Sequence, residues 1–358
     1  MRFRIFIGIL LVLTMAYVVY WFVVADRAHD EVLARIDEQR ALGAAIAYDE
    51  LSVRGFPYRL EIVAEGVDVS REEGSGIEWR VMSPEFIVVM QPWKFTHAIA
   101  FAEDIRLSVA EGGPATILDL VDMRASVVTD RAFAPMRVAA EFASLAAATS
   151  READDPDTLH AARIQLNWHR PGDRKSPALA VGVPGTKAAA TDGAISEPIA
   201  SEWALQVHDL THPTLEDMPY GPVIDSVAIQ LQVHGEPGRG LDRDALAAWR
   251  DAGGSIDIPE FRVLWDGLDL AIDGTVTVDE QFRPLGALVA RLSGYGPVID
   301  HLRDTGYIDD QEAETVRATL RAMSGGDETE AVNVPLAMQS GRLFLGPLPM
   351  ADLPPLVK

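Results

Sequence analysis

The 358-residue chain carries 54 acidic and 31 basic side chains and has a formal net charge of −23. So acidic a chain argues against a nucleic acid partner and against flat electrostatic adhesion to anionic lipid, because both need clustered Lys and Arg; any lipid contact has to be apolar and local. The absence of cysteine excludes disulfides, thiolate nucleophiles and Cys-ligated metals.

The first predicted element is a membrane anchor within residues 1–25. Its uncharged run, Ile5 to Ala25, is about 21 residues long and, at ~1.5 Å per helical residue, spans a bilayer core of roughly 30 Å. Arg2 and Arg4 before the run predict a cytoplasmic N-terminus, with the rest of the chain across the membrane. A cleaved signal peptide is the alternative, but its apolar region is shorter and ends in small residues, which favours an uncleaved anchor here.

The next part of the chain changes from a helical to a β pattern. Residues 26–47 predict an amphipathic juxtamembrane helix, because apolar side chains recur on one face and charged ones surround the other. Residues 48–150 form an N-terminal β-rich half, in which turn signals at Gly55-Phe56-Pro57 and Gln91-Pro92-Trp93 separate alternating runs. Such spacing predicts an antiparallel sheet. A short Ala-rich helix is expected near Val138 to Ala148.

The remaining chain predicts a second β-rich half. Residues 151–200 are rich in Pro, Gly and Ala and indicate a loop or insertion. Residues 201–358 resume the β pattern, with helices and a Pro-rich tail. Within its clearest strands, Asp273-Gly274 indicates a turn or a bulge inside one long strand. Helices are predicted at three places: Asp242 to Ala252, Pro297 to Thr305 and Asp310 to Met323.

These elements predict an α+β fold that is mostly antiparallel β. We expect a curved sheet or half-barrel groove with a few packed helices, plus one N-terminal transmembrane helix. Length and a hydrophobic content of 48% allow one large β-rich domain or two smaller ones. Ordinary core packing is the alternative for any aromatic residue assigned to the groove. The candidates for lying in it or at its end are Phe56, Tyr58, Trp79, Phe86, Trp93, Trp265 and Phe344.

No motif of known catalytic chemistry is present. The sequence has no phosphate-binding glycine loop, no Gly-x-Ser-x-Gly nucleophile turn and no His-Glu-x-x-His zinc helix. His208 and His212 have the spacing of a metal pair on a helix, but Pro213 follows at once, which favours a strand end running into a turn. The carboxylates of residues 154–157 lack the ligand spacing of a calcium loop. We therefore expect no catalytic residues, no metal site and no cofactor.

Two stretches resemble a known family. The first is Gly55-Phe56-Pro57-Tyr58-Arg59-Leu60, an alternating strand and then Gln91-Pro92-Trp93; the second includes Gly274-Thr275-Val276, Gly341 to Pro347 and Leu353 to Leu356. Both are similar to the domain-of-unknown-function 2125 family. That resemblance implies an alphaproteobacterial inner-membrane protein with one span and a periplasmic C-terminal domain. A more distant similarity to AsmA-like envelope proteins implies β-sheets that curl into an apolar, lipid-carrying groove. Neither resemblance supplies an activity or site residues.

Three functions follow as hypotheses. The leading one is a non-enzymatic protein that binds or passes a phospholipid, a lipid-like ligand or another apolar envelope component. The second is a structural or assembly factor that holds another envelope protein through sheet edges or the proline tail. The third is a periplasmic hydrolase whose site is not visible in the sequence. An apolar cavity favours the first, a filled core with a bare edge the second, and a polar cleft of buried carboxylates or His the third.

Overall fold

The computed structural model describes residues 2–72, 77–111, 113–149, 158–171, 198–236, 238, 243–323, 331–345 and 348–357. The chain divides into two compact units, Met1–His160 and Ala161–Lys358, called unit 1 and unit 2 below. The fold is α+β and mostly antiparallel β, with curved sheet and an N-terminal apolar helix, as the sequence predicts. Residues 154–157, whose carboxylates lack the ligand spacing of a calcium loop, lie outside the described residues, and so does most of the predicted 151–200 loop.

The anchor and the predicted juxtamembrane helix form one continuous helix, α1, which spans Arg2–Ala41. Its segment Phe3–Ala41 is long and apolar enough to cross a membrane. The helix ends before the predicted Ala47 because Gly43 adopts a positive φ of 94°. A left-handed glycine just after the last turn is the usual helix stop, and strand β1 follows it directly.

Unit 1 contains an antiparallel sheet in the order β2-β3-β4-β5-β6-β7, with β1 next to β2 along β3 and β8 next to β7 along β6. The predicted helix near Val138 to Ala148 is wrong: both halves of that stretch pair with β6, and this pairing overrides the helix propensity of alanine. The strands are β1 Ala45–Ala47, β2 Glu50–Arg54, β3 Leu60–Glu72, β4 Ile77–Gln91, β5 Lys94–Glu111, β6 Thr116–Thr129, β7 Pro135–Phe142 and β8 Ser144–Thr149. Strand β9, Thr158–Ala161, contains the division between the units.

Unit 2 contains a sheet in which each strand from β10 to β18 is antiparallel to the next. Its strands are β10 Arg163–His169, β11 Ile199–Thr211, β12 Val223–His234, β13 Ser255–Trp265, β14 Leu268–Val278, β15 Pro284–Ser293, β16 Val332–Gln339, β17 Arg342–Leu345 and β18 Leu348–Asp352. Its helices are α2 Arg243–Asp251, α3 Gly296–Asp304 and α4 Asp310–Met323, together with a 3₁₀ turn at Pro213–Leu215. The three helix predictions are therefore confirmed, and Asp273-Gly274 lies inside one long strand, β14.

Helices complete a buried cluster in each unit. In unit 1, Trp21 and Ala25 of α1 lie against Leu60, which is fully buried. In unit 2, α3 and α4 cover the sheet at β15 and β16. That cluster comprises Tyr295, Ile299, Ala313, Val332 and Val334, with Leu292, Ile308 and Leu320 packed against it. Both sheets thus bury apolar surface where a helix lies on them.

Candidate functional site

The middle of α1, near the C-terminal end of its apolar run, is hydrogen-bonded to two hairpin tips of unit 1. The Tyr17 hydroxyl donates to the Pro57 carbonyl, and the Tyr20 hydroxyl donates to the Pro92 carbonyl at 2.7 Å. The Trp21 indole N–H donates to the Arg59 carbonyl at 3.2 Å. The tips between β2 and β3 and between β4 and β5 are therefore fastened to the helix that carries the apolar run.

The first tip owes its shape to the Gly-Phe-Pro sequence. Gly55 has a φ of 105°, and a Cβ there would lie 2.8 Å from the Arg59 carbonyl oxygen, so a side chain does not fit. The Phe56 ring is left to turn toward α1. It lies edge-on to Trp21, with ring centroids 5.4 Å apart, and is stacked on Phe22 at 6.0 Å. These contacts agree with the structural interpretation of the motif as a strand entry whose aromatic residue closes the end of the sheet.

A third tip, between β6 and β7, lies at the same end of the sheet, since His97 near the start of β5 pairs with Val128 near the end of β6. Asp130 shapes this turn. Its carboxylate accepts hydrogen bonds from the backbone N–H groups of Ala132, at 2.7 Å, and Ala134, at 3.0 Å. Phe133 at its apex has a φ of 61° and projects into solvent. No sequence pattern marked Phe133, because its exposure depends on this left-handed turn.

The three tips expose aromatic side chains that a soluble surface normally hides. The exposed fraction is 47% for Phe56, 75% for Tyr58, 57% for Trp93 and 64% for Phe133. Clustered apolar exposure of this kind marks an interaction surface. We call residues 55–59, 91–95 and 130–134 the aromatic tips.

Each sheet also carries a continuous apolar face. Directly paired residues on neighbouring antiparallel strands point to the same side, so the register defines the face. In unit 1 it lies next to the aromatic tips, and α1 covers only its β2–β4 edge, at Val53, Leu60 and Met90. Its members are Leu51, Val53, Leu60, Ile62, Ala64, Phe86, Val88, Met90, Ala98, Ala100, Ala102, Met123, Ala125, Val127, Val138 and Ala140.

The apolar face of unit 2 extends from a covered to an open region. On β15 and β16 it is buried beneath α3 and α4. On β10–β13 none of its members is buried, and Trp203 is 41% exposed beside Trp168 at a ring-centroid distance of 6.3 Å. We call this open region the unit 2 apolar face; it consists of Ile164, Leu166, Trp168, Trp203, Leu205, Val207, Val227, Ile229, Leu231, Phe261 and Val263.

The opposite side of the unit 2 sheet carries a polar row at right angles to the strands. His169, Glu202, Gln232, Asp257 and Thr275 are successive cross-strand partners from β10 to β14. The His169 ring lies 3.2 Å from the Glu202 carboxylate, which also accepts from Gln232 at 3.2 Å. The Asp257 carboxylate accepts from Thr275 at 2.6 Å.

A second buried histidine joins the row at its Asp257 end: the His234 ring lies 3.0 Å from that carboxylate. Each hydrogen bond described here has its partner within the sheet, which is the pattern of a structural cross-strand ladder. Within the described ranges, no three His, Asp or Glu side chains are placed to hold a metal. His212, the metal candidate of the sequence, caps the 3₁₀ turn at the end of β11 and is not on a helix.

The structure separates the seven predicted groove residues. Three of them, Phe56, Tyr58 and Trp93, lie in the aromatic tips, and Phe86 lies on the apolar face of unit 1. Trp79 is twelve residues before the end of β4, about 40 Å from the tips.

The other two predicted residues belong to unit 2. Trp265 lies on the same side of β13 as Val263, donates to the Gly221 carbonyl at 3.0 Å and packs on Tyr220. Phe344 pairs with Ala337, on the side of the sheet opposite the apolar face. The members that sequence reasoning missed, such as Trp203 and Leu205, become visible only when strands are placed in register.

Comparison with known proteins gives a match to a protein family. No curated protein and no solved structure matches the chain. The family described as uncharacterized protein conserved in bacteria, DUF2125, matches residues 21–354, which include α1 from Trp21 onward, all three aromatic tips and both apolar faces. With nearly the whole chain matched, the protein belongs to the DUF2125 family.

Proposed function

We propose that the protein is a non-enzymatic, membrane-anchored protein that binds the acyl chains of lipid, or another apolar component of the bacterial envelope, on the unit 2 apolar face. We place its N-terminus in the cytoplasm and both β-rich units in the periplasm, following the basic flank of the apolar run. The single observation that carries the proposal is the unit 2 apolar face. It comprises eleven apolar side chains on four adjacent strands, none of them buried.

The dimensions of this face suit an extended acyl chain. Neighbouring strands lie ~4.8 Å apart, so four strands span about 14 Å, and the three rows of side chains are roughly 7 Å apart. Two tryptophans, Trp168 and Trp203, stand at one end of the face, and amphipathic rings of this kind commonly lie where an apolar ligand meets water. Trp203 is exposed and the other ten side chains are partly exposed, and a continuous apolar surface of this kind is found in soluble proteins chiefly where something binds.

The polar row on the opposite side favours binding over catalysis. A hydrolase needs a nucleophile or an activated water beside its base, whereas the Thr275 hydroxyl is already donated to Asp257 and the His169 ring already faces Glu202. The row ties five strands together on the side opposite the unit 2 apolar face.

The test is lipid photolabelling of the full-length protein in phosphatidylcholine nanodiscs containing a phosphatidylcholine with a diazirine in its acyl chain. Mass spectrometry of the products should locate labels on β10–β13 as well as on α1. Leu205→Asp should reduce the β10–β13 labels about tenfold, since a carboxylate on an apolar contact surface costs more than 1.4 kcal/mol. Gln206→Asp, the next residue on the opposite side of the same strand, is the matched control and should leave them unchanged.

Trp203→Gln guards against a folding artefact, because a side chain that is 41% exposed contributes little core packing. It should also reduce the labels. Labels confined to α1 would refute acyl-chain binding at this face. A protein cross-linked to the face in its place would support the assembly-factor function.

A further inference from the structure

The three aromatic tips form a row at one end of the unit 1 sheet. Each tip is separated from the next by two strand spacings, so the row extends about 19 Å from the β2–β3 tip to the β6–β7 tip. Each tip presents at least one aromatic ring that is more than 45% exposed: Phe56 and Tyr58, Trp93, and Phe133. The row is therefore wide enough to lie along a flat surface, not just against a single helix.

The hydrogen bonds to α1 fix the height of this row relative to a bilayer. With the apolar run Ile5 to Ala25 filling a hydrocarbon core of roughly 30 Å, Tyr17 lies about 12 Å and Tyr20 about 8 Å inside the outer boundary. Both tyrosines bind tip carbonyls directly. The tips that they hold must then lie at the boundary between headgroups and hydrocarbon, or just below it.

The backbone of the tips is suited to a place with little water. Pro57 and Pro92 have no N–H group, and their carbonyl oxygens accept from Tyr17 and Tyr20; the Arg59 carbonyl accepts from Trp21. In the third tip, the N–H groups of Ala132, Phe133 and Ala134 are taken by Asp130. Internal pairing of backbone groups is the condition for placing irregular chain near lipid.

The charge of the tips differs from that of the whole chain. Between Glu85 and Glu103 the sequence has no acidic residue, and Lys94 lies in the middle of that stretch. Arg59 and Arg131 supply a basic residue to each of the other two tips, where Arg59 is paired with Glu61 at 2.6 Å and Asp130 shares the tip with Arg131. Long basic side chains beside aromatic rings are typical of the headgroup region, where the rings enter the interface and the cations remain with the phosphates.

We propose that the aromatic tips insert together into the interface of one bilayer leaflet, the one that contains the C-terminal end of the apolar run. The end of the unit 1 sheet then rests on the lipid surface. This contact holds the strands of unit 1 upright on the membrane. It does not depend on acyl-chain binding at the unit 2 apolar face, so either proposal can fail alone.

Depth-dependent quenching tests this contact, and the cysteine-free sequence makes single labels straightforward. Tyr58→Cys, Trp93→Cys and Phe133→Cys, each carrying a small environment-sensitive fluorophore, are reconstituted as full-length protein in phosphatidylcholine–phosphatidylglycerol nanodiscs. The lipids carry a nitroxide either near the top or near the end of the acyl chain. Glu78→Cys is the control, because Glu78 is exposed on β4 about 43 Å from the tips.

All three tip labels should be quenched several times more strongly by the upper nitroxide than by the lower one and should resist iodide, whereas the Glu78 label should respond only to iodide. Quenching by iodide at the tips would overturn the contact, and so would protection from both quenchers, which indicates a protein cover. Quenching at Tyr58 and Trp93 without Phe133 would overturn the three-tip arrangement. Tyr58 is 75% exposed, so its replacement leaves the packing of the fold intact.

Discussion

Each unit has a sheet with a helix packed on one face, but the two units complete these buried clusters in different ways. Unit 2 uses helices of its own, α3 and α4, which bury Val332 and Val334 on the sheet. Unit 1 uses α1, the helix that also carries a run long and apolar enough to span a membrane, and buries Leu60 against Trp21 and Ala25. The core of unit 1 is therefore joined to that helix. Perturbing α1 should affect unit 1 in a way that has no counterpart in unit 2.

The largest expected effect comes from Leu60→Ala, at the contact between β3 and α1. Leu60 is fully buried, and truncation of a buried leucine costs about 2–5 kcal/mol because a cavity remains. Hydrogen exchange of the full-length protein in nanodiscs should show faster exchange of β3 and β4 and of α1 near Trp21 and Ala25. Exchange of both elements together would confirm that the helix and the sheet share one core.

Leu51→Ala is the matched control for this experiment. Leu51 lies on the same apolar face in β2 but is only partly buried, so its truncation should cost distinctly less. Equal losses for the two variants would contradict the view that α1 closes the core at Leu60.

A smaller effect distinguishes two tyrosine hydroxyls, one in each unit. Tyr20→Phe removes the hydrogen bond to Pro92 and should destabilise the β4–β5 tip by about 0.5–1.5 kcal/mol. The hydroxyl of Tyr295, buried in the α3–α4 cluster, has no hydrogen-bond partner within the described residues. Tyr295→Phe should therefore be neutral or stabilising, by up to about 1 kcal/mol, since a buried unpaired polar group is costly.

Hydrogen exchange of the β4–β5 tip for Tyr20→Phe, and of α3 for Tyr295→Phe, measures both changes. The two substitutions are chemically identical and serve as controls for each other. Destabilisation of α3 by Tyr295→Phe would show that its hydroxyl is solvated or paired in solution.

The sequence predicted those elements whose signals are local. The apolar run predicts a helix, which α1 contains, and α4 begins at the predicted residue because Asp309 and Glu312 form reciprocal capping hydrogen bonds. The alanine-rich stretch of β7 and β8 shows the limit of local signals. Its residues favour a helix on their own, and only pairing with β6 makes them strands.

The candidate site was predictable only in part, for a related reason. Gly55-Phe56-Pro57 and Gln91-Pro92-Trp93 are visible as turns, and their aromatic residues were expected at the end of the sheet. The first of these tips binds Tyr17 and the second binds Tyr20. The sequence does not reveal these contacts, because they depend on the position of α1. The polar row from His169 to Thr275 crosses five strands, so its members are scattered through more than a hundred residues.

The smallest expected effect concerns the ion pair that joins α3 to α4. The Arg317 guanidinium donates to the Asp300 carboxylate at 2.8 Å and holds the pKa of that carboxyl below its usual value. A carboxyl whose pKa is lowered by folding stabilises the fold at pH values above its unfolded pKa. That contribution is lost as the pH falls through its folded pKa. Because Asp300 is 46% exposed, solvent screening limits the contribution to at most about 1 kcal/mol.

Asp300→Asn should therefore lower the stability of the α3–α4 pair at pH 7 and have little effect below pH ~3, where the native carboxyl is also uncharged. Thermal unfolding of the full-length protein at both pH values measures the difference. Asp304→Asn removes the same charge from the same helix at a position 67% exposed, so it should change stability less at pH 7. A deficit for Asp300→Asn that persists at low pH would assign the contact to side-chain geometry.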